Sequence, residues 1–155
     1  MVLVYVDTNV FVHALEEKQE GEAGILARRL IRAAADGKLD AVTSELTLAE
    51  VLAPNKRHAG ALPAMLERAY LDLIVHGGFI GLEALVREDM YESAKLRAWQ
   101  KTKVGLPDVL HLATAIRTNA DVFATNDKAI SIPQGMKKLD LSSKGIGALL
   151  TELGS

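Results

Sequence analysis

The sequence contains no cysteine. That absence removes disulfides, thiolate zinc sites and thiol nucleophiles together, and it suits a reducing compartment. An excess of one charge is also missing: 18 Lys and Arg against 20 Asp and Glu leave a formal charge of −2. Whole-chain electrostatics therefore neither advertise nor exclude a nucleic-acid partner, and any basic footprint has to be local. No apolar run approaches the roughly 18 residues of a membrane span. The first apolar run lacks the basic flank of a secretory leader and is cut short by Asp7. A soluble cytoplasmic protein with no membrane partner is expected. There is no internal repeat, low-complexity tract or linker, and 155 residues with 49% hydrophobic content suit one domain over 1–155 with a full core.

What is present starts with Val2-Leu3-Val4-Tyr5-Val6, an unbroken apolar run followed by Asp7-Thr8-Asn9. Such a run reads as a strand buried on both faces, as in a parallel sheet under helices. A helix is expected over 22–35, with Leu26, Leu30 and Ala33/Ala34 at helical spacing and Gly37 as its stop. Asp40 to Thr43 reads as a second strand, and Ser44 as the cap of a helix carrying Glu45 and Glu50. The pattern predicts another helix over 62–75, a third strand over 79–82, and a helix that ends near Trp99 in a basic stretch. Gly105-Leu106-Pro107 opens a further helix, with proline near its first position. Strands over 121–125 and 137–141 and a closing helix over 145–153 complete the chain. Strands alternating with helices argue for βαβ units around a parallel sheet.

In open α/β sheets, ligands bind just beyond the carboxyl ends of the strands. Asp7, Glu50, Asp108 and Asp127 all fall at strand ends or helix starts that face that edge. Each acid also has a plain structural use: Asp7 as a helix cap, Glu50 as a solvated helix residue, Asp108 as a complement to the helix dipole, Asp127 as a turn former. Brought together, they would repel one another and hold raised pKa values unless a cation neutralised them. Oxygen ligands without cysteine or histidine spacing select a hard ion, Mg²⁺ or Mn²⁺. Such an ion can polarise a phosphoryl oxygen and acidify a water for attack on a phosphodiester.

Asp7-Thr8-Asn9 after a hydrophobic strand, the stretches Thr43 to Leu52 and Leu106 to Ala115, and Thr125-Asn126-Asp127 together resemble the PIN domain. Size and layout look most like the VapC-like ribonuclease toxins of toxin–antitoxin pairs. The resemblance implies a Rossmann-like three-layer α/β/α sandwich with a central, mostly parallel sheet. It implies Mg²⁺- or Mn²⁺-dependent endonucleolytic cleavage of RNA, leaving a 5′-phosphate and a 3′-hydroxyl, with a cognate antitoxin and a homodimer. Asp7, Glu50, Asp108 and Asp127 correspond to the family's acidic quartet, with Asn9 and Thr125 as the polar residues beside it.

His111 lies three residues after Asp108, nearly on the same helical face, and is a candidate for contact with substrate or with the acids. Lys56, Arg57, Lys95, Arg97, Lys101 and Lys103 are candidates for a phosphate-contacting rim. Ser44 is a cap rather than a nucleophile, because no histidine is placed to activate it. A receiver domain would need paired acids at strand one and an Asp ending strand three, where Leu82 stands; a haloacid-dehalogenase-type phosphatase would need Asp-x-Asp, where Asp7-Thr8-Asn9 stands. Two alternatives stay open: an RNA-processing or structure-specific nuclease of the same fold without an antitoxin, and a non-catalytic nucleic-acid-binding module.

Overall fold

The computed structural model describes residues 1–17, 20–54 and 58–154. Lys56 and Arg57, two of the candidates for the phosphate-contacting rim, lie outside the described residues. In chain order the elements are β1 (Leu3–Val6), α1 (Thr8–Glu16), α2 (Glu22–Ala35), β2 (Asp40–Ser44), α3 (Leu46–Val51) and α4 (Ala64–Leu71). A π-helical turn (Asp72–His76) continues α4, followed by β3 (Ile80–Glu83), α5 (Arg87–Trp99), α6 (Leu106–Arg117), β4 (Val122–Ala124), β5 (Lys137–Leu139) and α7 (Ile146–Glu152).

The strands form one parallel sheet in the order β3-β2-β1-β4-β5. Side chains alternate across it, as the two-residue period of a strand requires. Val4, Val6, Ala41, Val122 and Ala124 enter a core under α1, α2, α4 and α7. Tyr5, Val42 and Phe123 enter a second core under α5 and α6, where the rings of Tyr5 and Phe123 stack 5.3 Å apart. These are the three layers that the resemblance implies, and the continuous apolar runs supply the strands buried on both faces. Among the described residues, no helix is long and apolar enough to cross a membrane.

The strand order places the site. The chain runs outward from β1 to β2 and β3, then returns through α5 and α6 to lay β4 on the other side of β1. The crevice at this reversal, between β1 and β4, is where an open α/β sheet binds its ligand. Val6 pairs with Ala124, so Asp7 and Thr125 leave the sheet side by side.

Several boundaries differ from those read in the sequence. Helix α2 stops as expected: Gly37 has a φ of +70°, and Gly37 N donates to Ala34 O while Lys38 N donates to Ala33 O, a Schellman closure. Helix α4 begins at Ala64, not near Leu62, because Pro63 disfavours helical geometry in the residue before it. Ser44 stays in β2 through pairing with Glu83, which delays α3 to Leu46; its Oγ still accepts from Leu46 N, as a cap would. The last strand ends at Leu139, since Leu141 N turns to the Asn126 side chain.

Candidate active site

Asp7, Glu50 and Asp108 line one cleft of about 490 Å³ together with Asp127. Parallel pairing brings Asp7 to its mouth at the end of β1, and α3 carries Glu50 back over the same edge. Helix α6 opens with Asp108 in its first turn, and Asp127 follows β4. Acids from four separate stretches thus meet where the strand order reverses.

Asp7 is buried and is indeed the N-cap of α1. Its Oδ1 accepts from Thr8 N at 2.8 Å, and its Oδ2 accepts from Thr125 Oγ1 at 2.7 Å and Asn9 Nδ2 at 3.0 Å. Thr125 is a hub, since its Oγ1 also accepts from Asn9 Nδ2 and from Asp127 N. The placement explains why Asp-Thr-Asn and Thr-Asn-Asp fall where they do: each triplet supplies donors to the other. Asp127 is also a turn former, accepting from Ala129 N at 2.9 Å, so the structural uses coexist with convergence on the cleft.

Glu50 points inward to a network that the sequence does not announce. Its Oε1 accepts from Thr8 Oγ1 at 2.8 Å and from His111 Nε2 at 2.5 Å. His111 is 1% exposed, so it reaches the cleft through Glu50 and Thr8 rather than as a surface ligand. An ionised carboxylate only accepts, which puts the proton on Nε2. Its Nδ1 shares a hydrogen bond of 2.7 Å with the Tyr5 hydroxyl. Burial and the nearby Asp7 push the Tyr5 phenol well above its ordinary range, so that hydroxyl keeps its proton. Replacing Tyr5 with Phe strands Nδ1 in the core. We expect the loss of about 1–3 kcal/mol that an unsatisfied buried group costs, read as a lower midpoint in urea with the m-value unchanged.

Electrostatics separate the acids. Burial lifts Asp7 above its ordinary value, only partly opposed by His111, Thr125 and Thr8. Burial also pushes Glu50 upward, but the bond and charge of His111 together with Thr8 outweigh it and hold the carboxyl low. Asp108 is raised by burial and then by repulsion from Asp127, Asp7 and Glu50. No hydrogen bond reaches its side chain among the described residues.

Among the described residues, no three His, Asp or Glu side chains are close enough to cage a metal ion. Magnesium rarely asks for that: it keeps several waters and binds through one or two carboxylates plus phosphate oxygens. An all-oxygen set of acids that repel one another, in a cleft with room for waters, fits a hard dication held in that way.

Residues beyond the sequence candidates also line the cleft: Thr8, Val12, His13, Glu16 and Glu17. Asn9, His13 and Glu16/Glu17 recur at helical spacing along α1, a periodicity that could have found them. His13 pairs with Glu17 at 3.0 Å, and the Tyr70 hydroxyl donates to Glu16. Lys95, Arg97, Lys101 and Lys103 are exposed and do not line the cleft. The loop bearing Lys101 and Lys103 is nevertheless tied to the segment after Asp127 by Gln100 with Ser131 and Thr102 with Ala129.

The family model of the PIN domain matches residues 4–133. Comparison with curated proteins finds no match. Among solved structures, the chain resembles VapBC2 from Rickettsia felis bound to a promoter DNA fragment, at 16% identity and a TM-score of 0.64 over 90% of this chain and 98% of that one. It resembles DNA-bound VapBC from Salmonella typhimurium at 19% identity and 0.62, over 92% and 100%. It also resembles VapC20 from Mycobacterium tuberculosis, a sarcin-ricin loop cleaving toxin, at 13% identity and 0.63, over 82% and 92%. At these identities the likeness is one of fold.

Proposed function

The chain belongs to the PIN domain family, and from that premise we propose that it is a Mg²⁺- or Mn²⁺-dependent endoribonuclease, the toxin of a toxin–antitoxin pair. The observation that carries the reading is the meeting of Asp7, Glu50, Asp108 and Asp127 on one cleft at the reversal of strand order. The fold likeness to VapBC pairs and to a sarcin-ricin loop cleaving toxin supports the antitoxin partner and RNA as substrate. An intracellular RNA target and an antitoxin both suit the cytoplasm, and the family resemblance alone implies a homodimer.

Asp7, Glu50, Asp108 and Asp127 would hold the ion, one or two of them directly and the others through its waters. When bound, it supplies Lewis-acid polarisation of a phosphoryl oxygen and lowers the pKa of water in the cleft. Asp7 is kept from rotating by three donors, and Glu50 by Thr8 and His111. Both present their remaining lone pairs in fixed directions, which spares reorganisation during reaction. Asp108 accepts no hydrogen bond among the described residues and is raised in proton affinity, which supports it as the group that would take a proton from attacking water. Attack at phosphorus in line with the 3′-oxygen breaks the P–O3′ bond and leaves a 5′-phosphate and a 3′-hydroxyl.

The test is cleavage of single-stranded or structured RNA by the purified chain with Mg²⁺ or Mn²⁺, with product ends mapped. Undiminished cleavage in excess chelator would refute metal dependence. A second readout is thermal. Asp7 and Asp108 are raised in the folded state, so their contribution to stability is full below the ordinary value of 3.8 and is lost as pH rises through their folded values. Glu50 runs the other way: its contribution is present above the ordinary 4.5 and is lost as pH falls. A dication relieves the repulsion that remains at neutral pH. At a hundredfold excess over Kd, binding adds about 2.7 kcal/mol, or a Tm rise of roughly 5–10 °C for a chain of this size. That rise should shrink steadily toward pH 4; an equal rise at both pH values would place binding elsewhere.

A further inference from the structure

The acid-lined cleft by itself repels the polyanion it is proposed to cleave, so phosphates need cations close by. A second cavity, of about 470 Å³, adjoins the first and shares Asp127 with it. Lys128, Lys138 and Lys144 line it, along with the polar side chains of Asn126 and Ser142. The three lysines come from separate segments: the turn after β4, the middle of β5 and the approach to α7.

Lys138 is partly buried, and its Nζ donates to Ile130 O at 2.7 Å. That bond fixes the ammonium and leaves two of its three N–H groups for another acceptor. Lys128 and Lys144 are exposed at the rim and can close over an anion. The opposing charges at this cavity are Asp127 and Asp140, and Asp140 Oδ1 already accepts from Ser142 Oγ at 2.5 Å. Three cations against two carboxylates, one of which turns to the acid cleft, leave a local positive excess one step from the reacting centre.

We propose that this lysine cavity binds a backbone phosphate of the RNA strand flanking the scissile one, so that the strand passes Asp127 from the acid cleft into the lysine cavity. The proposal rests on the nuclease reading above and extends it to how the polyanion is retained. Such contacts position a strand without reading its bases, so the cavity sets register and affinity rather than sequence preference.

The test measures binding of a fluorescently labelled single-stranded RNA oligonucleotide by anisotropy across a salt series, in the cleavage-deficient Asp108→Asn protein. Lys128→Ala/Lys144→Ala in that background should weaken binding about tenfold at low salt. It should also flatten the slope of log K against log salt by about 0.7 for each phosphate that is no longer neutralised. Arg32→Ala removes an exposed charge on α2 as the control and should change neither. Unchanged affinity and slope in the double variant, or an equal loss in the Arg32 control, overturns the cavity while leaving the nuclease reading intact. Absence of RNA cleavage by the unsubstituted chain overturns the nuclease reading, and the cavity with it. Melting curves of each variant show that the comparison is between folded proteins.

Discussion

Asp108→Asn should lower the rate of RNA cleavage by about 10²–10³-fold, the loss typical when one preorganised electrostatic group is removed from a reacting centre. Its melting temperature in chelator should be unchanged or higher. The side chain is half-buried, and among the described residues no protein hydrogen bond reaches it, so the isosteric amide disturbs no native pairing. The charge it removes is one that Asp127, Asp7 and Glu50 all repel. Because that carboxyl is raised in the folded state, its ionised form detracts from stability at neutral pH, and neutralising it cannot cost what it never supplied. Asp7→Asn is a less clean experiment. Asp7 Oδ2 accepts from both Thr125 and Asn9, and an amide nitrogen there would face the Asn9 donor. Single-turnover kinetics and a melt on the same Asp108→Asn preparation decide the matter: full activity sinks the role assigned to Asp108, and a melt lowered by several degrees makes the residue structural.

The acids of the cleft were legible in the sequence because each abuts an apolar strand or opens a helix, and parallel pairing sends all such ends to one edge. Asp7 and Asp127 needed only that rule. Glu50 needed more, since Leu46 and Val51 show that α3 packs without showing which way Glu50 points. Its direction comes from His111, 61 residues away on α6, through a hydrogen bond that no local pattern encodes. Tyr5 read as one more apolar strand residue, yet its hydroxyl completes the chain to Glu50. The strands over 121–125 and 137–141 were legible as elements, while their ends were set by tertiary bonds such as Leu141 N to Asn126. Lysines were the hardest to place. The basic stretch around Trp99 stands out because its charges are close together in the chain, whereas Lys128, Lys138 and Lys144 meet only once β4, β5 and α7 are assembled.

The second large effect concerns an acid that is more deeply buried than Asp7 and has no part in the cleft. Asp89, in the first turn of α5, is 1% exposed and accepts from Val86 N at 3.0 Å, closing that helix's N-terminus. Arg117, in the last turn of α6, donates to it through Nε at 2.9 Å and through a terminal nitrogen at 3.2 Å, and also reaches Glu83 and Ala84 O at the end of β3. One guanidinium therefore joins α5, α6 and β3 at the end of α6 opposite Asp108. Removing one partner of a buried pair costs about 3–5 kcal/mol, since the other charge is left uncompensated. The Arg117 side chain is 30% exposed and water can partly replace it, so Arg117→Ala should cost nearer 3 kcal/mol. At roughly 2–4 °C per kcal/mol, that lowers Tm by about 6–12 °C. Cleavage measured well below the new midpoint should stay close to the unsubstituted rate, because Asp108 sits about two and a half turns away on the same helix. The pair of variants separates two uses of a carboxylate on this sheet: loss of Arg117 removes stability and spares chemistry, while loss of the Asp108 charge does the reverse. A stable Arg117→Ala protein, or one that is folded yet inactive, would break that separation.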